Sequence, residues 1–306
     1  KKSLMWADCI VIAGALLVGF SKMADSFEMV LASRLSYGVA AGICLNATAP
    51  FLVEISPKRL RGFAVAMSVV FFSLGKVLGQ IMGLRDVFGG PSRWPLLLGL
   101  SGLPALVQLL LLPLFSESPA FLLLQKGDKE GCLRAMRTLW GEGDPRGHGL
   151  QAQAEEMRRE SSPGRRGALQ VMGDPAQRRP LALSILLALS LQLCGLSAIY
   201  FYAFEVFRTA RIQENLIPYM TLGTGSCEFV AVLLCSAIID RFGRRVLLWG
   251  GFGMMGVAMA LLTLSLSLQD RFPWLSFASV AFIFLFIFFF GVGPCESRPP
   301  KAPSRQ

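Results

Sequence analysis

The chain has 306 residues, of which 53% are hydrophobic and only 16% are charged. Soluble domains carry roughly a quarter charged residues, so this composition excludes an ordinary soluble globular protein. The formal net charge of +10 would by itself suit a nucleic-acid or acidic partner, but the placement of the basic residues along the chain indicates a different role.

The hydrophobic residues are concentrated in eight runs. A helix needs roughly 20 apolar residues, at 1.5 Å rise each, to cross the hydrocarbon core of a membrane. All eight runs have about this length, so a soluble helical bundle is the weaker alternative and the sequence predicts an all-α polytopic membrane protein. In chain order the predicted spans cover residues 4–20, 28–53, 63–84, 95–115, 181–204, 217–239, 246–268 and 274–294.

Basic residues fall mainly in alternate loops between these spans. If residue 1 is cytoplasmic, the cytoplasmic segments contain nineteen Lys or Arg residues and the opposite loops contain six. This is the positive-inside bias of membrane proteins. The positive charge therefore indicates topology, and we expect no nucleic-acid partner.

A long polar segment divides the spans into two groups of four. Residues 116–180 contain two short amphipathic stretches, 128–140 and 151–160, with Gly and Pro between them. The segment is too short to bury a core of its own, so we interpret it as a cytoplasmic helical loop. The predicted organisation is a bundle over 1–115, this loop, a second bundle over 181–294, and a disordered tail over 295–306.

Charged side chains lie within and beside the spans, several of them at the predicted cytoplasmic ends. An ionised residue in a membrane helix is costly and usually faces a partner. We interpret these residues as a network that holds the two bundles together on the cytoplasmic side and breaks when that side opens. The alternative is that each is an interfacial charge that only sets topology. The proposed members are Arg34, Glu54, Arg61, Glu117, Asp240, Arg244 and Arg245.

The sequence contains no pattern typical of an enzyme or a metal site. None of the seven cysteines has CxxC spacing, and the single histidine, His148, lies in the polar loop. No nucleophile–base pair, metal-ligand cluster or phosphate-binding loop is recognisable. We therefore expect no enzymatic activity, no cofactor and no metal.

Several motifs, in the same order along the chain, resemble the sugar porters of the major facilitator superfamily. They are Glu54-x6-Arg61-Gly62, Glu117-Ser118-Pro119, the stretch 192–200, and Asp240-Arg241-x-Gly243-Arg244-Arg245. Residues 80–85 (QIMGLR) and 94–98 (WPLLL) are similar to the class II, fructose-type facilitative hexose transporters of animals. The resemblance implies a twelve-helix fold, of which 1–115 would hold helices three to six and 181–294 helices seven to ten, with both ends of the fold missing.

The resemblance also implies a sugar site midway through the membrane. Family members bind hexose there with amide side chains, which offer both donors and acceptors to a neutral polyol. Gln192 and Gln80 match family glutamines, whereas Ser197 and Glu228 stand at positions where the family has asparagine. These four residues are the implied substrate-binding set. Because Ser197 and Glu228 replace family asparagines, the sugar preference of this chain cannot be inferred from that of better-known family members.

Two lone charges within the spans are unusual for the family. Lys76 lies where an aliphatic residue is typical, and a lysine there costs roughly 2.5–3.5 kcal/mol at the helix centre unless it finds a partner. Glu228 is either a polar residue of the sugar site or, as an alternative, a proton-coupling carboxyl.

Three consecutive aromatic residues begin at the last residue of the stretch 192–200. By the resemblance, Tyr200, Phe201 and Tyr202 are gate aromatics that close over the sugar. The alternative is ordinary anchoring of aromatic rings at the membrane interface.

The resemblance implies facilitative transport of hexose, fructose and/or glucose, by alternating access. The expected partners are the hexose substrate and the lipid bilayer, and the oligomeric state is left open. We expect the plasma membrane as location, with an intracellular vesicle membrane as the alternative. The rival function is a non-transporting truncated product with at most an interaction or dominant-negative role, because four helices of the family fold would be missing.

Overall fold

The computed structural model describes residues 1–57, 60–90, 92–140, 175–201, 203–209, 212–242, 244–268, 272 and 274–293. Within these ranges the regular structure is entirely helical. The helices are α1 Lys2–Ser21, α2 Phe27–Ile55, α3 Arg61–Met82, α4 Trp94–Gly99, α5 Gly102–Leu111, α6 Pro119–Leu124, α7 Lys129–Trp140, α8 Pro175–Leu193, α9 Leu196–Phe201, α10 Ala203–Thr209, α11 Ile217–Phe242, α12 Arg244–Leu268 and α13 Leu275–Val292, with one 3₁₀ helix, Leu112–Leu114.

The predicted spans are confirmed. Eight helical segments of the described residues are long and apolar enough to cross a membrane. Their bounds are Lys2–Ser21, Phe27–Ile55, Arg61–Met82, Trp94–Leu114, Arg178–Phe201, Ile217–Ile238, Val246–Leu268 and Leu275–Val292. Large apolar side chains remain exposed along them, for example Trp249 and Phe277, as expected for helices whose outer faces contact lipid rather than water.

Two of the spans, Trp94–Leu114 and Arg178–Phe201, each consist of more than one helix. In Arg178–Phe201 the break between the helices lies at a glycine. Gly195 adopts a left-handed φ of +87°, which a side chain with a Cβ rarely tolerates. This conformation separates α8, which ends at Leu193, from α9, which begins at Leu196.

The predicted amphipathic stretch 128–140 is helix α7. The Asp128 carboxylate accepts a hydrogen bond from the Gly131 N–H at 2.8 Å and so caps the helix N-terminus. The Ser118 hydroxyl caps α6 in the same way, accepting from the Phe121 N–H at 3.3 Å. The stretch 151–160 and the tail 295–306 lie outside the described residues.

The chain forms two compact units. The first contains the described parts of Lys1–Ser68 and Arg85–Arg165. In it α1 packs against α2, α4 and α5, and α6 packs against α7. Small side chains allow the close approach of α1 and α2: a Cβ on Gly14 would lie 3.3 Å from the Ser36 Cβ.

The second unit contains Val69–Leu84, which is the larger part of α3, and the described parts of Arg166–Gln306. Its apolar core is built around α12 and α13. Gly291 of α13 lies against α11, where a Cβ on this glycine would be 2.6 Å from the Ala231 Cβ. The core residues are Ile199, Phe207, Ile217, Met255, Ala258, Leu262, Ile283, Phe286, Ile287 and Phe290. The predicted organisation into bundles over 1–115 and 181–294 stays a prediction.

Candidate functional site

Near its middle, the apolar helix α11 carries one buried carboxylate. The side chain of Glu228 is only 2% exposed. Between residues 217 and 239 it is the only charged side chain in the sequence. A buried carboxylate without partners would be strongly unfavourable, so its environment has to supply a counter-charge and hydrogen-bond donors.

Lys76 supplies the counter-charge. The Lys76 Nζ donates to both carboxylate oxygens of Glu228, at 2.7 Å to Oε1 and 2.8 Å to Oε2. Both residues belong to the second unit. The ammonium also lies 4.6 Å from the centroid of the Tyr200 ring and 5.8 Å from that of Phe72, where the negative faces of the rings attract a cation.

Tyr200 completes the arrangement from α9. Its hydroxyl donates a hydrogen bond to Glu228 Oε2, so both oxygens of the carboxylate are occupied. Lys76, Glu228 and Tyr200 together form what we call the polar cluster of the second unit. A bidentate, charge-assisted contact with a further hydrogen bond is the geometry in which a buried ion pair offsets its desolvation.

Gln80 lies beside the polar cluster. It follows Lys76 by one turn of α3, and its carboxamide covers Gly225, which precedes Glu228 by three residues on α11. A Cβ on Gly225 would lie 2.8 Å from the Gln80 Cδ, so only a glycine leaves room for the amide. The Gln80 Oε1 is buried and accepts no hydrogen bond from any described residue. An unsatisfied buried acceptor costs about 1–3 kcal/mol, which a hydroxyl donor from a ligand would recover.

Of the four substrate-binding residues implied by the resemblance, the structure brings Gln80 and Glu228 to one place on facing parts of α3 and α11. Gln192 on α8 and Ser197 on α9 are exposed. The substrate-binding role of all four stays a prediction.

The three predicted gate aromatics have different environments. Tyr200 contacts Glu228 and Lys76. The neighbouring Phe201 is 86% exposed, and Tyr202 lies outside the described residues. Their role as a gate stays a prediction.

Two described contacts involve members of the predicted cytoplasmic network, whose role stays a prediction. The Ser118 hydroxyl donates to Glu54 Oε2 at 2.5 Å, and the Arg61 Nε donates to the Ser56 carbonyl at 3.4 Å. In the described part of the chain no ion pair joins Glu54 and Arg61. Glu117 is half-buried beside this contact.

Of the remaining predicted members only Arg34 has a described side chain, and it does not extend this cluster. Arg34 is exposed and lies on the same helix as Glu54, twenty residues earlier. At 1.5 Å rise per residue the two are roughly 30 Å apart along α2, so Arg34 cannot contact Glu54. The side chains of Asp240, Arg244 and Arg245 lie outside the described residues.

Sequence reasoning identified Lys76 and Glu228 as lone charges but did not join them. The signal was present, because two single charges of opposite sign in otherwise apolar helices each require a partner. Elsewhere, the structure holds no group of three or more His, Cys, Asp or Glu side chains able to bind a metal, as far as the described residues extend.

Comparisons with known proteins extend these observations. The family model described as "Sugar (and other) transporter" matches residues 1–296. The chain is 42% identical over 294 residues to solute carrier family 2, facilitated glucose transporter member 11 of Homo sapiens, covering 96% of this chain and 59% of that protein. It is 39% identical to member 9 of Mus musculus, covering 96% of this chain and 54% of that protein. The chain thus spans a little more than half the length of these relatives.

Solved structures show the same fold. The partially occluded, inward-open xylose transporter XylE from E. coli superposes with a TM-score of 0.75 at 18% identity, over 95% of this chain and 67% of that one. The proton:xylose symporter XylE bound to 6-bromo-6-deoxy-D-glucose gives 0.76 at 19% identity, over 96% and 64% of the two chains. The predicted major facilitator fold is confirmed, and the chain belongs to the sugar transporter family.

Proposed function

We propose that this multi-pass membrane protein carries out facilitative transport of a hexose, fructose or glucose, by alternating access. The observation that carries the proposal is the buried, unsatisfied Oε1 of Gln80 next to the polar cluster within otherwise apolar helices. The family membership and the facilitated glucose transporters among the relatives support it.

The chemistry of the site suits a neutral polyol. The Gln80 carboxamide offers an acceptor and donors, and in this proposal Lys76, whose side chain is 30% exposed, supplies a further donor. A few such hydrogen bonds, each worth about 0.5–1.5 kcal/mol, give binding weak enough for release on the other side. In this proposal Gln192 and Ser197 contribute further hydrogen bonds, and the three aromatics at 200–202 close over the sugar.

The remaining assignments follow from the same proposal. The partners are the hexose and the lipid bilayer, the location is the plasma membrane, and no enzymatic step, cofactor or nucleic acid is involved. The charged residues at the cytoplasmic ends of the spans hold that side closed between transport steps.

Uptake of radiolabelled glucose and fructose into proteoliposomes that contain only this chain tests the proposal. We expect saturable uptake that L-glucose does not share and that protein-free liposomes lack. Absence of saturable uptake of both sugars would contradict the proposal and favour a non-transporting role. Equal uptake in acidic and neutral medium is expected, and acid-stimulated uptake would favour the proton-coupling alternative for Glu228.

Gln80→Leu tests the site within the same assay. Loss of one hydrogen bond to the sugar should raise the half-saturation concentration about tenfold. Gln108→Leu is a matched control, because Gln108 is an exposed glutamine in another membrane-spanning segment. If both substitutions change the half-saturation concentration equally, Gln80 does not bind the sugar.

A further inference from the structure

The two charges of the polar cluster are unequally accessible. Lys76 is 30% exposed, whereas Glu228 is 2% exposed and has its two oxygens occupied by Lys76 and Tyr200. A ligand that reaches the cluster therefore meets the Lys76 side chain rather than the Glu228 carboxylate.

The pair has no net charge, and the sequence provides no other charge nearby on the two helices that carry it. Lys76 is the only charged side chain between residues 69 and 84, and Glu228 the only one between 217 and 239. In a membrane-embedded site, where the effective dielectric constant is low, a third charge would not be balanced. A ligand carboxylate would meet Lys76 but also the field of Glu228.

We propose that the Lys76–Glu228 pair restricts the site to uncharged sugars, with Lys76 as a substrate-contacting donor whose charge Glu228 cancels. The inference rests on the proposed transport function and deepens it, because it assigns the charge class of the substrate and the two residues that set it. Without Glu228, the same lysine would favour a sugar carboxylate.

The experiment compares a hexose with its own uronate, which differs by one negative charge on the same carbon skeleton. The probe pair is glucose with glucuronate, or fructose with fructuronate, according to which hexose the wild-type chain binds. Both ligands compete for the purified full chain in detergent, and the measured quantity is the ratio of their dissociation constants. Because both compete on one sample, this ratio does not depend on the fraction of protein that is folded.

Wild-type protein should bind the hexose at least about tenfold more tightly than the uronate. Glu228→Gln leaves Lys76 without a counter-charge and should shift the ratio toward the uronate by about tenfold or more. Lys76→Met leaves the carboxylate alone and should shift the ratio the other way. The double variant Lys76→Met/Glu228→Gln is neutral again, so its ratio should return to within about threefold of wild type.

Glu130→Gln is the matched control, because it removes a carboxylate from the exposed Arg134–Glu130 pair of α7 and should leave the ratio unchanged. If Glu228→Gln yields no folded protein, two other results test the inference. The ratio of dissociation constants should shift toward the hexose in Lys76→Met, and it should return toward the wild-type ratio in the double variant. Hexose binding with the same ratio in all variants would overturn this inference and leave the proposed function intact. Binding of neither ligand by the wild-type chain would refute the proposed function and this inference with it.

Discussion

Breaking the Lys76–Glu228 ion pair from one side should destabilise the protein far more than replacing both partners. Removal of one member of a buried pair costs about 3–5 kcal/mol, because the other charge remains buried without compensation. Glu228→Gln leaves the Lys76 charge, whose side chain is 30% exposed, so we place its cost at the lower end, about 3 kcal/mol. Lys76→Met leaves the carboxylate of Glu228, which is only 2% exposed, and should cost at least as much.

The expected shift in melting temperature follows from the size of the chain. With an unfolding entropy of about 2.1 cal/mol/K per residue, 1 kcal/mol corresponds to roughly 1.5 °C for a chain of 306 residues. Glu228→Gln should lower the melting temperature in detergent by about 5 °C, and Lys76→Met by at least as much. The double variant should lie within about 2 °C of wild type, because an apolar and an amide side chain of similar volume leave no charge to compensate.

The assay is thermal unfolding followed by far-ultraviolet circular dichroism at a fixed scan rate, since unfolding of membrane proteins in detergent is often irreversible and then depends on the scan rate. Additive shifts in the double variant, near 10 °C in total, would refute the reasoning. So would single variants that melt within 1 °C of wild type, because the two charges would then contribute independently of each other or not at all.

Three further predictions concern other parts of the structure. Gly291→Ala places a Cβ 2.6 Å from an alanine of α11 and should lower the melting temperature by roughly 2–4 °C through overpacking. The control Gly250→Ala adds a Cβ that meets nothing within 4 Å and should leave the melting temperature unchanged. Equal melting temperatures of the two variants would contradict the close approach of α11 and α13. Ser118→Ala removes both the cap of α6 and a donor to Glu54, and it should cost about 2 kcal/mol, or roughly 3 °C, so a shift below about 1 °C would contradict the contact. Burial, with a smaller contribution from the nearby Asp128, raises the pKa of the Cys132 thiol. Near neutral pH this thiol should therefore react with iodoacetamide more slowly in the folded protein than in the urea-unfolded chain, and the difference in rate should narrow as the pH rises toward the raised pKa. Equal rates in the two states, measured by mass spectrometry, would contradict the raised pKa.

The spans could be predicted from sequence because hydropathy along the chain is a local property. The limits of each apolar run agree closely with the helices, and the amphipathic stretch 128–140 became α7. The break at Gly195 was not predicted, since a glycine in an apolar run is compatible with a continuous helix. Only its backbone conformation, with φ at +87°, shows that α8 ends there.

The site was less predictable because it depends on contacts between distant parts of the chain. The resemblance pointed to Gln80 and Glu228 separately, but 152 residues separate Lys76 from Glu228 and no local pattern joins them. Glu54 accepts a hydrogen bond from Ser118, a contact that no charge pattern in the sequence indicated. Arg61 donates to the backbone carbonyl of Ser56. Because every residue has a backbone carbonyl, a contact of this kind cannot be predicted from the sequence.

The long separation between Lys76 and Glu228 has a consequence for biosynthesis. At about 5–20 residues per second, α3 is made roughly 8–30 s before Glu228 is polymerised. During that interval Lys76 has no counter-ion from α11, and its helix must enter the bilayer on the strength of its surrounding apolar residues alone. The ion pair of the folded chain can therefore form only after α11 has been synthesised, so it joins α3 to α11 late in the production of the chain.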